Sequence, residues 1–149
     1  MSDEVSAVNY EELYQRALAD AENIRRRVDE EKRQFAKYAQ GALIEDLLPV
    51  VDNFYRATDH VPEGQKQSAW LAGILHIQKQ LLDVLEGAGV KEIMVKPGDT
   101  FDSQSHEAIG TAASAKVPED HIVEVKSRGY LLHDRLLRPA QVIVATKDK

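Results

Sequence analysis

An apolar repeat with a mean spacing of about 3.5 residues runs from residue 10 to residue 42 and limits what this chain can fold into. Two series four residues apart make up the repeat, and nine of the ten members are apolar: Tyr10, Ala17, Ile24, Glu31 and Tyr38 in the first, and Tyr14, Ala21, Val28, Phe35 and Ala42 in the second. No proline or glycine interrupts residues 9–40, so the pattern predicts one helix of about 45 Å or more. So narrow a stripe is typical of helices that pair along it.

A lone helix of this length cannot bury its own stripe, and a second copy of the chain is the simplest partner. We therefore predict a homodimer whose interface contains Tyr10, Tyr14, Ala17, Ala21, Ile24, Val28, Phe35, Tyr38, Leu43 and Leu47. The alternative is that the helix packs against the C-terminal half of its own chain. The pairing should be weak, because the alanines bury little area and Glu31 would bring like charges together in a parallel pair. We expect the long helices to melt before the rest of the protein.

Residues 43–89 carry a wider apolar face, which is typical of a helix bundle. Pro49 is expected to kink or restart the first helix of this segment. Residues 62–68 form a loop by composition, and a second helix follows, with Ser68 as its predicted N-cap and a glycine at its end. Two such helices from each chain of a dimer would form a four-helix bundle.

From Val90 onward the apolar period changes to two, which predicts short β-strands separated by turns. The predicted fold class is thus α+β: long paired helices, a dimeric four-helix bundle and a small C-terminal, mostly antiparallel β domain. We divide the chain into a short flexible acidic tail (1–8), a long coiled-coil-like dimerisation helix (9–42), the helices of a four-helix bundle (43–89) and a β domain (90–149).

The composition argues against several kinds of site. The chain has no cysteine, which rules out disulfides, thiolate metal sites and thiol nucleophiles. Its five histidines share no metal-ligand spacing, and no glycine-rich phosphate loop occurs. His106 and Glu107 are neighbours in a predicted strand, so their side chains point to opposite faces and a joint catalytic role is not expected. We predict no enzyme activity, no catalytic residues, no metal and no cofactor.

The charge distribution bears on possible partners. The net charge is −6, and residues 91–149 hold nine basic and nine acidic side chains, so neither half offers the basic surface that nucleic-acid binding requires. No apolar run approaches the length of a membrane span, and we expect a soluble, cytoplasmic protein that binds neither nucleic acid nor membranes.

The basic run NIRRR, residues 23–27, leaves one rival interpretation, a dimeric coiled-coil DNA-binding regulator. Across residues 20–33, however, five basic side chains face five acidic ones. This balance favours a solvated helix face with ion pairs between neighbouring turns over DNA binding. Contact between some of these arginines and a protein partner is a third possibility.

Five stretches, taken together, resemble the GrpE family, the nucleotide exchange factors of DnaK-type chaperones. In chain order they are AENIRRRVDEEK, IEDLLPVVDNFYRA, LAGILHIQKQLLDVLEGAGV, FDSQSHEAI and GYLLHDRLLRPAQVIV. The resemblance implies a parallel homodimer with a four-helix bundle and a pair of β wings. It also implies that one wing enters the nucleotide-binding domain of the chaperone and holds its cleft open, so that ADP leaves. Reversible melting of the long helices would make such a protein sensitive to heat.

The resemblance also implies which residues contact the chaperone, namely Arg25, Arg56, Gly73, Phe101, Arg135, Arg138 and Val144. Two positions depart from the family pattern. Ser103 stands where a proline is usual, so its loop is expected to be less rigid, and Gln34 replaces a lysine that some relatives carry.

The last motif, GYLLHDRLLRPAQVIV, is predicted to form two short apolar strands joined by a charged turn. Its buried positions are expected among Leu131, Leu132, Leu136 and Leu137, with Arg135 pointing outward. Pro139 suits a strand edge or a bulge. For Arg138 two roles stay open: contact with the partner, or a role in holding the fold of the β domain.

Overall fold

The computed structural model describes residues 9–146, so the predicted acidic tail of residues 1–8 lies outside the described residues. The chain forms two compact units on either side of the peptide bond between Gln40 and Gly41. The structure contains three α-helices, followed by six β-strands. None of the helices within residues 9–146 is both long and apolar enough to cross a membrane.

Helix α1, Tyr10–Tyr38, forms most of the first unit and confirms a long helix without interruption. It ends before Ala42, the last member of the predicted stripe, which lies on the next helix. Its start is capped by Asn9, whose side-chain oxygen accepts a hydrogen bond from the amide of Glu12 at 3.3 Å. Ion pairs between successive turns join Arg27 to Glu31 and Arg33 to Glu30. No residue of α1 is buried. Solvation and the helical hydrogen bonds therefore account for this helix in the single chain, with no contribution from a packed core.

Helix α2, Gly41–Asp59, begins the second unit and runs through Pro49 without a break. Of the two alternatives predicted for Pro49, a kink or a restart, the restart is wrong, because the new helix begins at Gly41 instead. Proline removes the hydrogen bond to the carbonyl oxygen four residues earlier, here that of Glu45. Both Glu45 and Pro49 are exposed, so water can take the place of the missing amide.

Helix α3, Ala69–Gly87, packs against α2. Ser68 caps it as predicted, with its hydroxyl oxygen accepting a hydrogen bond from the amide of Leu71 at 3.2 Å. The loop between the two helices contains a single 3-10 turn, Glu63–Gln65. The buried apolar residues of the two helices are Ile44, Leu48, Val51, Leu71 and Leu85. Gln78 is buried among the positions of α3 that face inward.

The β domain contains two three-stranded sheets. In the first sheet, β1 (Val90–Ile93), β4 (Gly129–Leu132) and β5 (Arg135–Arg138) lie in the order β1-β4-β5 and pair antiparallel. In the second sheet, β2 (His106–Ala113), β6 (Ala140–Thr146) and β3 (Ile122–Ser127) lie in the order β2-β6-β3. β3 pairs antiparallel with β6, whereas β2 runs parallel to it. The prediction of a mostly antiparallel β domain is confirmed, with this one parallel pair as the exception.

The motif at residues 129–144 was expected to form two strands, but it forms three: β4, β5 and most of β6. The third strand arises because the chain reverses between β4 and β5, at His133, and then passes at Pro139 from the first sheet into the second. His133 adopts a φ of 55°, in the left-handed region that a tight turn requires. Of the four leucines expected among its buried positions, Leu132 is fully buried, while Leu136 is 39% exposed.

The core of the β domain lies on the second sheet and its flanking loops. Ile122, Ala140, Val142 and Val144 form the buried cluster, and Val95, Phe101 and Val125 pack against it. The two sheets meet where Gly129 of β4 approaches the backbone of Ala140 in β6. A Cβ atom at Gly129 would overlap the amide nitrogen of Ala140 and lie 2.9 Å from its Cα atom. This close approach requires a residue without a side chain.

We predict that Gly129→Ala lowers the free energy of unfolding of the second unit by about 3 kcal/mol, because the added methyl group meets rigid backbone. Urea denaturation followed by circular dichroism measures the change. The matched control is Gly64→Ala, where an added Cβ would meet nothing within 4 Å. A free energy of unfolding for Gly129→Ala as high as that of the control would contradict the tight contact between the sheets.

Candidate functional site

The seven residues expected to contact a chaperone differ in how accessible they are. Arg25 on α1, Arg56 on α2, Gly73 on α3 and Arg135 on β5 are exposed. Phe101 is partly buried and packs against the core cluster of the β domain. Val144 belongs to that cluster and is only 8% exposed. Phe101 and Val144 therefore share one packed core, and an apolar contact through the side chain of Val144 would have little surface available.

Arg138, the seventh residue, is engaged by groups of its own chain. Its Nη1 and Nη2 atoms donate to the two carboxylate oxygens of Asp52 at 2.7 and 2.9 Å. Its Nε and Nη2 atoms also donate to the carbonyl oxygen of Arg128 at 3.1 and 2.7 Å. The guanidinium carbon lies 5.5 Å from the centre of the Tyr130 ring. A two-pronged arginine–carboxylate pair of this kind fixes both distance and orientation.

Arg128 makes a second connection between α2 and the β domain. Its Nη1 atom donates to Glu92 of β1 at 2.9 Å, and its guanidinium carbon lies 3.7 Å from the centre of the Tyr55 ring on α2. Burial alone would lower the pKa of Arg128, but the hydrogen bond and the charge of Glu92 raise it above its usual value. We call Asp52, Tyr55, Glu92, Arg128 and Arg138 the arginine clamp.

An open cleft of about 640 Å³ lies beside the arginine clamp, between the C-terminal half of α2 and the β domain. Besides clamp residues, its lining includes the charged or titratable residues Arg56, Asp59, His60, Lys96 and Lys126. Both signs of charge are present, so the cleft has no single electrostatic preference. Across residues 9–146, no group of three or more His, Asp or Glu side chains is placed to hold a metal ion.

Tyr130 lies beneath the arginine clamp and is 2% exposed. Its hydroxyl group is buried and has no hydrogen-bond partner within the described residues. Burial raises the pKa of Tyr130 well above its usual value, and the charge of Glu92 raises it further. Burial also raises the pKa of the neighbouring Tyr55. The ionised form of Tyr130 is therefore strongly disfavoured in the folded chain.

The loop that carries Phe101 is held by the side chain of Asp102. Its two carboxylate oxygens accept hydrogen bonds from the amide of Gln104 and the hydroxyl of Ser105, both at 2.9 Å. These bonds, the first above all, lower the pKa of Asp102. The amide of Asp102 donates to Nδ1 of His106 at 3.1 Å, so this histidine caps the turn. The loop around Ser103 is thus ordered by hydrogen bonds, without the proline that the family pattern would supply.

A sequence model described as GrpE matches residues 3–146. The chain belongs to the GrpE family. Proteins named GrpE from three bacteria are similar to it over most of its length. Identities are 41% for Desulfatibacillum aliphaticivorans, 40% for Cereibacter sphaeroides and 39% for Gloeobacter violaceus. The matched regions cover 95%, 89% and 94% of this chain and 69%, 76% and 71% of the three relatives.

Family membership confirms the predicted function: the GrpE-family chain is a nucleotide exchange co-chaperone of a DnaK-type chaperone. Sequence reasoning nevertheless missed Asp52, Tyr55, Glu92 and Arg128. A local signal existed for two of them, because Asp52 and Tyr55 are three residues apart and lie on one face of α2. Nothing local indicates that their partners lie in the β domain.

We predict that Tyr130→Phe raises the free energy of unfolding at pH 7 by about 1 kcal/mol, because it removes a buried hydroxyl without a partner. Since the folded-state pKa of Tyr130 is raised, its contribution to stability is fully present below the unfolded pKa, near 10, and is lost as the pH rises above it. The parent chain should therefore lose more stability than Tyr130→Phe between about pH 9 and pH 11. Urea denaturation across this range measures the difference, and parallel profiles would contradict the burial of an un-ionised Tyr130.

Proposed function

We propose that this GrpE-family chain acts as a homodimer and that its β domain enters the nucleotide-binding domain of the chaperone and holds it open. The observation that best supports the dimer is the exposed apolar stripe of α1. A helix of 29 residues leaves Tyr10 79% and Phe35 75% exposed, and buries none of its residues. None of the ten residues predicted for the dimer interface is buried in the single chain. A stripe of this extent supports a partner helix from a second copy.

The helices of the second unit support the same proposal. On α3, Trp70, Ile77 and Val84 are exposed at intervals of seven residues, beside the positions that pack inward. On α2, Leu43 and Val50 are exposed at the same interval. Each helix thus has an apolar face beyond the one used within the chain. Pairing with α2 and α3 of a second copy would cover these faces and form a four-helix bundle.

For the chaperone contact, the strongest candidate surface of the β domain is β5. Arg135 is exposed at its start, and the next residue, Leu136, is 39% exposed. β5 is also an edge strand, so one side of its backbone is unpaired within the sheet. A charged side chain beside an apolar one on an accessible edge suits a protein contact. Val144, in contrast, would act from inside, as part of the core cluster that holds the second sheet.

The proposed exchange step is a shift between two states of the chaperone. A protein that binds the open, nucleotide-free state more tightly than the closed state moves the population toward the open state. By thermodynamic linkage, the exchange factor weakens the binding of ADP to the chaperone by the same factor by which ADP weakens the binding of the exchange factor. ATP binding to the chaperone then releases the exchange factor. This mechanism needs no nucleotide site, metal or catalytic group in the exchange factor.

The rival proposal, a DNA-binding regulator, has no support from the side chains of the basic run. Arg26 donates to Asn23 at 2.9 Å, and Arg27 pairs with Glu31 at 3.8 Å. Arg33, on the next turn, pairs with Glu30. These contacts pair three of the basic side chains of this region with groups of the same helix.

We predict that the chain accelerates the release of labelled ADP from a DnaK-type chaperone, and that Arg135→Ala raises the concentration needed for half-maximal acceleration by about tenfold. Helix content by circular dichroism should be unchanged. The matched control is Lys91→Ala, at an exposed position on the other edge strand of the same sheet. No acceleration by the parent chain at saturation would remove the proposed function, and an unaltered half-maximal concentration for Arg135→Ala would refute the role of Arg135.

We further predict two thermal transitions by circular dichroism, with α1 melting first because its stripe is weakly apolar. Glu31→Leu completes the stripe and should raise the temperature of the first transition by about 5 °C while leaving the second in place. Glu22→Leu, which adds the same side chain off the stripe, is the control. A single cooperative transition in the parent chain would contradict separate melting of the long helices and the heat sensing based on it.

A further inference from the structure

We propose that the arginine clamp is a positioning device that fixes the β domain on α2 and thereby determines how far the chaperone's cleft is held open. The inference rests on the proposed function and deepens it, since it concerns how the β domain is supported rather than what it touches. It also decides between the two roles left open for Arg138, in favour of a contact within the chain.

The hydrogen bonds of Arg138 leave it little capacity for a partner. A guanidinium group has five N–H donors, and four of them are directed at Asp52 and at the carbonyl oxygen of Arg128. The side chains of Arg138 and Asp52 are only 22% and 25% exposed. Arg135, three residues earlier on the same strand, is exposed instead. The two arginines of the motif are thus suited to different tasks.

Three of the attachments between the helices of the second unit and its β domain bear on its orientation, and the clamp is one of them. The first is the chain itself, which passes from α3 into β1 through Gly89, and His133 donates its amide to the carbonyl oxygen of Gly89 at 2.7 Å. The second is apolar, at the start of α2, where Gly41 lies beside Leu132 and Leu137. The third is the clamp, 11 to 14 residues further along α2.

These attachments differ in how well they resist rotation. Apolar packing is not directional, and Gly89 has a φ of 93°, a conformation suited to a bend in the chain. The clamp combines a two-pronged ion pair with a guanidinium stacked on an aromatic ring, both of which depend on angle. The cleft of about 640 Å³ beside the clamp is open, so side chains do not fill the space into which the β domain would turn. The charged contacts therefore carry most of the resistance to such a movement.

A wing that holds a partner open must transmit force to the rest of the exchange factor. If the clamp supplies the rigidity, loosening it should leave the contact surface intact but lower the rate reached when all the chaperone is bound. A residue of the contact surface should behave in the opposite way, with weaker binding and a preserved rate at saturation. These two patterns separate positioning from contact.

The first test measures the orientation of the β domain without the chaperone. Because the chain has no cysteine, Ala57→Cys on α2 and Thr111→Cys on β2, both exposed, provide a unique pair of spin-label sites. Labelled chain is mixed with an excess of unlabelled chain, so that each dimer carries one labelled copy. Asp52→Asn should broaden the distance distribution about twofold relative to the parent. Asp59→Asn, the same change seven residues along α2, should leave it unchanged, and an unchanged distribution for Asp52→Asn would overturn the proposal.

The second test measures ADP release from the chaperone over a range of exchange-factor concentrations. Asp52→Asn should lower the rate at saturation by about fivefold or more and change the half-maximal concentration by less than about threefold. Arg135→Ala should instead raise the half-maximal concentration and preserve the rate at saturation. Asp59→Asn should have the same rate at saturation and the same half-maximal concentration as the parent. A broadened distance distribution combined with an unchanged saturating rate would overturn the positioning role.

Two further measures keep the outcomes distinct. If Asp52→Asn fails to fold, Tyr55→Leu, which removes the ring under Arg128 from the other half of the clamp, takes its place with the same expected results. If the parent chain does not accelerate ADP release, the proposed function fails, while the distance measurement still decides whether the clamp holds the β domain. If the parent is active and the clamp variants behave as the parent does, only the clamp proposal is refuted.

Discussion

The ion pair between Arg138 and Asp52 joins positions 86 residues apart and links α2 to the β domain. Two charged groups that are mostly removed from water are tolerated only when they face each other with good geometry. The requirement fixes α2 relative to β5, and through the carbonyl oxygen of Arg128 it fixes β5 relative to the end of β3. The ring of Tyr130 packs beneath the guanidinium of Arg138. Its hydroxyl group is buried there without a hydrogen-bond partner among the described residues.

Helix α1 of the first unit, in contrast, has no buried residue. α1 makes its hydrogen bonds and ion pairs within itself and leaves its apolar stripe exposed. Its contribution to stability therefore depends on what covers the stripe, whereas the second unit has a core of its own. One chain thus combines a helix that buries none of its residues and a segment with a core of its own.

The parts of the fold that depend on local pattern could be predicted from the sequence. Heptad spacing predicted α1, the hydroxyl of Ser68 marked the start of α3, and the change of period at Val90 marked the β domain. What could not be predicted depends on contacts between distant residues. The parallel pairing of β2 with β6, the burial of Val144 and the partners of Arg138 all depend on which distant helices and strands become neighbours. Pro49 shows the converse, since the helix does not restart there, and the buried side chains on both sides of it, Leu48 and Val51, belong to one continuous helix.

The parallel pair of β2 and β6 has a consequence for the order in which the chain folds. β6 is the central strand of its sheet, yet it follows both of its neighbours in the sequence. β2 and β3 therefore have no sheet partner until β6 has been made, and pairings across such long sequence separations are slow to form. The helices need only local contacts to begin folding. During synthesis, two strands would thus remain unpaired after the helices have formed, and a protein that assists a chaperone would itself pass through a state of the kind that chaperones bind.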